Sequence, residues 1–238
     1  MLYKPEQPVN QILAALPQHE YSRLAPYLQA VNLTVGTVLH NPRDILTEVY
    51  FPEQAIISLI SIVNDGSTSE IGLIGNEGMT GLPVILGTNY ATNRSVVQVS
   101  GKALKLSATI LKLEFGRSER LPQLLLSYTQ AQLIRVAQTA VCNRKHLIEE
   151  QLARWLLSVR DRSQTNEVPV TQEVIADMLG VRRTSVGEAA NKLQKKGAIH
   201  YKRGCISIVD SDCLETTACE CYKLVRSEFE RLLNSDRS

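Results

Sequence analysis

No cysteine precedes Cys142, and no apolar run approaches the ~18 residues that a membrane-spanning helix needs. The first absence excludes a cysteine-held cluster in the N-terminal half. The second excludes a spanning helix. Charge excess is also missing: 26 Lys and Arg against 24 Asp and Glu leave a formal net charge of +2, so affinity for a polyanion would have to come from local clustering. The start, MLYKPEQPVNQILAAL, lacks a basic stretch followed by an apolar core and a small-residue cleavage site, so no secretion signal is expected and the protein is expected in the cytoplasm. Five cysteines are an odd number, and four of them (Cys205, Cys213, Cys219, Cys221) fall in the last 34 residues. Free thiols are therefore expected, not a disulfide framework. There is no nucleophile elbow and no His-rich metal signature. Gly75-Asn-Glu-Gly-Met-Thr-Gly81 has the glycines of a phosphate loop without the following lysine. No catalytic residue is assigned, and an enzyme is not expected.

What is present divides in three. At 238 residues the chain can build two modest cores. Residues 10–28 read as short helices interrupted by Pro17 and Pro26. From Val31 to Leu106 short strand patterns (Val31–Val38, Ala55–Val63, Glu70–Ile74, Ser95–Val99) alternate with turn signals at Gly36, Asn41-Pro42, Asn64-Asp65-Gly66, Gly75-Asn76 and Gly87, which predicts a compact β barrel or roll. Glycine and proline then vanish between Pro122 and Arg162, and helix formers dominate. Leu126, Leu133, Ala140 and Leu147 recur every seven residues with Ala137 beside them, the repeat a partner helix needs. His146–Val159 is amphipathic enough to be a separate helix. The predicted units are 1–120, a long helix at 121–145, and 146–238.

The most specific stretch is TQEVIADMLGVRRTSVGEAANKLQKKGAI, residues 171–199. Val174, Ile175, Met178 and Leu179 give a first helix one apolar face, and Thr171 can cap it. Gly180 supplies the positive φ of a sharp turn. Val186, Ala189, Ala190 and Leu193 give a second helix its own stripe. Ala176, Gly180 and Val186 have the spacing of a helix-turn-helix: a small residue at the crossing, glycine at the turn, a branched residue where the second helix seats. The face left outside carries Arg182, Arg183, Thr184, Ser185, Gly187, Glu188 and Asn191, able to reach base edges in a major groove. Between Arg182 and Arg203 lie seven Lys or Arg and one acid, Glu188, so positive charge is local. Lys195, Lys196, Lys202 and Arg203 are assigned to phosphates, and Thr171 joins this surface. Ile199–Ile208 reads as a basic hairpin, the wing of a winged helix, and Asp210 or Ser211 can cap a last helix running to about Leu233.

A β-roll, a long central helix and a C-terminal winged helix, in that order, resemble the Crp/Fnr family of bacterial transcription regulators. The resemblance covers nearly the whole chain and is most specific at Thr171–Ile208. It implies an α+β fold with a cyclic-nucleotide-binding-like roll and a central dimerisation helix. It also implies a homodimer on a pseudo-palindromic operator in double-stranded DNA, RNA polymerase as a partner, and an effector sensed by the roll. The family's cyclic AMP pocket pairs Gly-Glu with a later Arg-Ser. Here Arg94-Ser95 matches the second element, while the first aligns with Gly81-Leu82 and lacks the carboxylate. The polar Thr-Ser pair that meets adenine aligns with Val136-Ala137. An effector other than cyclic AMP is the expectation, since a ribose hydroxyl buried against Leu82 would be unpaired at a cost of ~1–3 kcal/mol. The family's oxygen-sensing mode needs an N-terminal cysteine cluster and is excluded. Haem would need an axial ligand such as His40 or His146, and none is assigned. Where the best-known recognition helix reads Arg-Glu-Thr-Val-Gly-Arg, this chain reads Arg183-Thr-Ser-Val-Gly-Glu188, so a different operator is expected. Cys219-Glu-Cys221, with Cys213 nearby, invites a metal or redox reading. Residues two apart on a helix point to different faces, however, so no metal site is assigned. The alternative function is a small-molecule or anion sensor whose winged helix docks a protein.

Overall fold

The computed structural model describes residues 8–202 and 204–233. Two short helices, α1 (Gln11–Ala14) and α2 (Gln18–Leu24), open the chain. The first is anchored by one buried polar residue. Asn10 caps α1 through Leu13 N (3.3 Å), and its amide donates to the carbonyls of Pro52 (2.9 Å) and Gly78 (2.8 Å).

Seven strands follow: β1 (Gln29–Leu33), β2 (Val38–His40), β3 (Glu48–Pro52), β4 (Ile56–Ile62), β5 (Thr68–Ile74), β6 (Arg94–Val99) and β7 (Gly101–Ser107). They form two antiparallel sheets, ordered β1-β7-β3 and β2-β6-β4-β5. Leu33 and Ala103 of the first pack with Ile57, Ile74 and Val97 of the second, the inner layer of a roll. The single strand expected over Val31–Val38 is broken: Gly36 turns with φ +83, its N–H donating to the carbonyl of Val97 (2.8 Å). β7 escapes the sequence pattern because its burial does not alternate, and β3 because Val49-Tyr50-Phe51 is a continuous apolar run although its burial alternates.

After α3 (Ala108–Arg117) comes the long helix α4 (Arg120–Lys145). Its first turn has orphan N–H groups to satisfy. The buried carboxylate of Glu20 does so, accepting from Glu119, Arg120 and Leu121 at 2.9–3.0 Å. One side of α4 lies on the roll, and two glycines allow the approach. A Cβ on Gly78 would run into the ring of Tyr128, and one on Gly72 would sit 2.6 Å from Arg135 Nη2. The other side stays open. Leu126, Leu133, Val136 and Val141 are 43–66% exposed, and Ala137 and Ala140 are exposed between them. Leu147 of the predicted repeat lies beyond the helix end, as the N-cap of the next helix.

That helix, α5 (Ile148–Ser163), buries Leu152, Trp155, Leu156 and Val159, as its amphipathic pattern requires. A three-stranded sheet ordered β8-β10-β9 contains β8 (Glu167–Pro169), β9 (Ile199–Lys202) and β10 (Cys205–Ile208). Between β8 and β9 lie α6 (Gln172–Leu179) and α7 (Arg183–Lys195). The final helix expected from residue 211 is two: α8 (Ser211–Thr217), capped by Asp210, and α9 (Cys221–Leu233). The helix α9 leaves the winged-helix unit and returns to α4. Phe229 and Leu232 join the core of the roll and α4, with Arg135 5.5 Å over the Phe229 ring. Roll and winged helix also meet directly, where Trp155 Nε1 donates to the buried Glu70 (3.2 Å). Burial pushes the Glu70 carboxyl above its ordinary pKa. Among the described residues, no helix is long and apolar enough to cross a membrane.

Candidate nucleic-acid interface

Local chemistry fixes the helix-turn-helix. Thr171 Oγ1 accepts from Val174 N (3.3 Å) and starts α6. Gly180 ends it with φ +65, and Val181 N donates back to the Ala176 carbonyl (3.0 Å). Ala176 is 6% exposed at the crossing and Val186 is fully buried under it. With Ala189, Ala190 and Leu193 also buried, the rotation of α7 is set, and its outer face is what remains. Arg182, Arg183, Thr184, Glu188, Asn191 and Lys195 are exposed on it, and Ser185 and Gly187 are half-buried. Among the described residues, Arg183 has a 4.0 Å contact to the exposed Glu173 as its ion pair. Its guanidinium is therefore available to another acceptor.

The wing stands beside this helix pair. Lys202 is exposed at the end of β9, and Gly204 turns with φ +80 beside Thr171, whose Cγ2 would lie 3.6 Å from a Cβ there. Arg203, assigned to phosphate contact, lies outside the described residues. Lys196 has a protein partner: Glu149 at the start of α5 takes its Nζ at 2.6 Å and that of Lys192 at 3.9 Å. Both lysine heads remain about half exposed, so they can still face phosphate.

The six expected effector-pocket residues lie in three places. Gly81 adopts φ +85 against Val49, where a Cβ would be 2.6 Å from Val49 Cγ1, and Leu82 packs on the roll core. Arg94 opens β6 with Nε bonded to Asn41 Oδ1 (3.1 Å), and Ser95 beside it is buried. Val136 and Ala137 belong to the open face of α4. A separate cavity of about 320 Å³ opens where the roll, α4 and the winged-helix unit meet. It is lined by Glu70, Glu77, Arg135, Arg154 and Arg162, and reaches Cys221.

One geometric premise of the sequence reading fails. Cys219 is not on a helix; it lies in the break between α8 and α9, and only Cys221 begins α9. The two sulfurs therefore converge, and they converge on Cys142 and His146 at the end of α4. Cys213 lies apart, donating to the Lys196 carbonyl. The grouping left one trace in the sequence: Cys142 and His146 are four apart, on one face at a helix end. A hydrogen bond from Cys219 pulls the Cys142 thiol down to about 5, and the same contact pushes the Cys219 thiol up. The bond to Cys142 raises the His146 pKa.

The roll, the long helix, the helix-turn-helix and the basic wing follow one another in the order found in Crp/Fnr-type transcription regulators, which this chain resembles. A family model described as a Crp-like helix-turn-helix domain matches residues 150–217, the segment from α5 to α8. The nitrogen fixation regulation protein FixK of Bradyrhizobium diazoefficiens is 26% identical over 204 residues, which cover 79% of this chain and 81% of FixK. FixK2 from Bradyrhizobium japonicum superposes with a TM-score of 0.69 at 13% identity, over 81% of this chain and 98% of that one. The c-di-GMP responsive regulator CLP of Xanthomonas campestris superposes with a TM-score of 0.66 at 14% identity, over 81% and 99%. These two structures share the fold.

Proposed function

We propose that the chain works as a cytoplasmic homodimer that inserts one α7 into each half of a pseudo-palindromic operator, with RNA polymerase as its further partner. The observation that carries this is the division of apolar and charged surface. The residues that would read bases are exposed on a rigidly seated helix. The apolar residues that would pair two copies are exposed on α4, facing no core of their own chain. A two-fold axis along α4 would set the half-sites about one turn of DNA apart, ~34 Å. Effector control does not run through cyclic AMP on this reading. Leu82, packed on the roll core, offers a ribose no acceptor, and Val136 and Ala137 offer adenine none.

Selection of bound sequences from random duplex tests the reading. Paired half-sites spaced by one helical turn are expected. Recovery of single unpaired sites, or no enrichment at low salt, would overturn it. Retention on heparin with steep salt dependence separates DNA binding from docking of a protein through the same wing. Calorimetry checks the effector statement: micromolar binding of cyclic AMP would refute it.

A further inference from the structure

Cys142, His146, Cys219 and Cys221 place one sulfur or ring nitrogen each within 4.8 Å of all the others. They come from two segments far apart in sequence: the last turn of α4 and its C-cap, and the break before α9 with the first residue of α9. Cys142 Sγ is 3.5 Å from Cys219 Sγ, and Cys221 Sγ is 3.4 Å from His146 Nδ1. A tetrahedral zinc ion with Zn–S of ~2.3 Å and Zn–N of ~2.0–2.1 Å has ligand–ligand edges of about 3.5–3.8 Å. Two edges are thus already in place. Three thiols and one imidazole form the Cys₃His set that zinc favours, and the tight spacing suits one ion better than an iron–sulfur core, whose ligands stand wider apart.

The surroundings match a built centre. His146 turns Nδ1 to the sulfurs, while its Nε2 meets the exposed Glu220 carboxylate at 3.2 Å, the arrangement that fixes the tautomer of a ligating histidine. Gln138 Nε2 donates to Cys221 Sγ at 3.1 Å. Gln151 Nε2 holds the carbonyl of His146 at 2.9 Å, fixing the turn that carries two of the four ligands. Three thiolates around Zn²⁺ leave one net negative charge. Arg154, whose buried Nε has no hydrogen-bond partner and whose charge acts on Cys142, is placed to offset it. Access is open through the surface at His146 and Glu220 and through the cavity that reaches Cys221.

We propose that these four residues bind a single zinc-class divalent ion that staples the C-terminal end of the central helix to the α8–α9 turn. Binding releases the thiol protons to solvent and involves no change of oxidation state. The site is closed, with four protein ligands and no open position, so its role is structural. It fixes the junction where the DNA-binding unit joins the rest of the chain. The inference stands apart from the operator and effector readings, because its readouts involve no DNA.

The full chain, purified without chelator and then reconstituted with zinc, should hold about one zinc per chain. Cobalt substitution should give intense thiolate-to-metal bands and a tetrahedral d–d spectrum. A thiol reagent should label two cysteines quickly, Cys205 and Cys213, and the other three only after a chelator is added. Glu220→Gln, at an exposed position, should weaken zinc binding roughly 10–100-fold. Cys142→Ser and Cys221→Ser should abolish stoichiometric binding, while Cys213→Ser should leave it unchanged. If the ligand variants do not fold, the cobalt spectrum and thiol count of the unaltered chain still decide. Zinc well below one equivalent after reconstitution, five equally reactive thiols, or a Cys142–Cys219 disulfide in the freshly purified protein would each overturn the proposal.

Discussion

Replacing Arg183 by alanine separates reading from holding. The side chain is 68% exposed, and its one ion-pair contact is at 4.0 Å to a carboxylate that is 72% exposed. Such a pair contributes at most about 1 kcal/mol and is screened by salt. The variant should therefore unfold within about 1 kcal/mol of the parent. Nothing in the core touches the change, because the seat of α7 is made by Val186, Ala189, Ala190 and Leu193. On DNA the expectation is different. A guanidinium that grips a guanine edge through two hydrogen bonds is worth ~1–3 kcal/mol per half-site, roughly 5- to 150-fold. Fluorescence anisotropy on the selected operator and on a scrambled duplex, across a salt series, gives both quantities. Operator affinity should fall by that factor per half-site, random-duplex affinity should hardly move, and one base position should lose its preference. Equal losses on both duplexes, with the salt slope reduced by about 0.9 per contact, would show that Arg183 meets phosphate alone and would refute the assignment.

Three other outcomes follow from the same structure. Leu133→Glu puts a charge on the open face of α4 at a residue 66% exposed in the single chain, so the fold should persist while sedimentation shifts to monomer; an unchanged dimer would mean that the copies pair elsewhere. Gly78→Ala drives a methyl into Tyr128 and should destabilise the protein by ~1–3 kcal/mol in chemical denaturation, with no loss if the roll simply moves aside. Glu70→Gln keeps an acceptor for Trp155 and removes a titration. Burial raises the Glu70 pKa above the ordinary carboxylate range, so this group's contribution to stability is present in acid and is lost as pH rises through the folded-state pKa. The glutamine variant should therefore gain on the parent with rising pH and match it in acid; a difference that stays constant with pH would contradict the assignment.

The sequence announced some parts of this molecule and hid others, for local reasons. Thr171, Gly180 and the apolar residues of α6 and α7 act within a few residues of one another, so cap, turn and stripe could be read directly. β3 and β7 were not legible: β7 is covered unevenly on both faces, and in β3 the half-buried Tyr50 is apolar, so Val49-Tyr50-Phe51 hides the alternation of its burial. The break after α8 was hidden by composition. Ala218-Cys219-Glu220 contains neither glycine nor proline, yet the helix stops there, and this stop brings the thiols together. The meeting of Cys219 with Cys142 spans 77 positions and is a product of tertiary packing. So is Glu20, which caps a helix 100 residues away.

Because α9 turns back and lies along α4, the winged-helix unit is attached to the body of the protein by two strands of chain, one leaving through α5 and one returning from α8. A unit held by one linker can swing in any direction, like a ball on a string. Held by two, and packed on the roll where Trp155 meets Glu70, it has fewer directions left in which to turn. The position of α7 is therefore tied to the packing of α9 along α4, because both ends of the unit lead back to that helix.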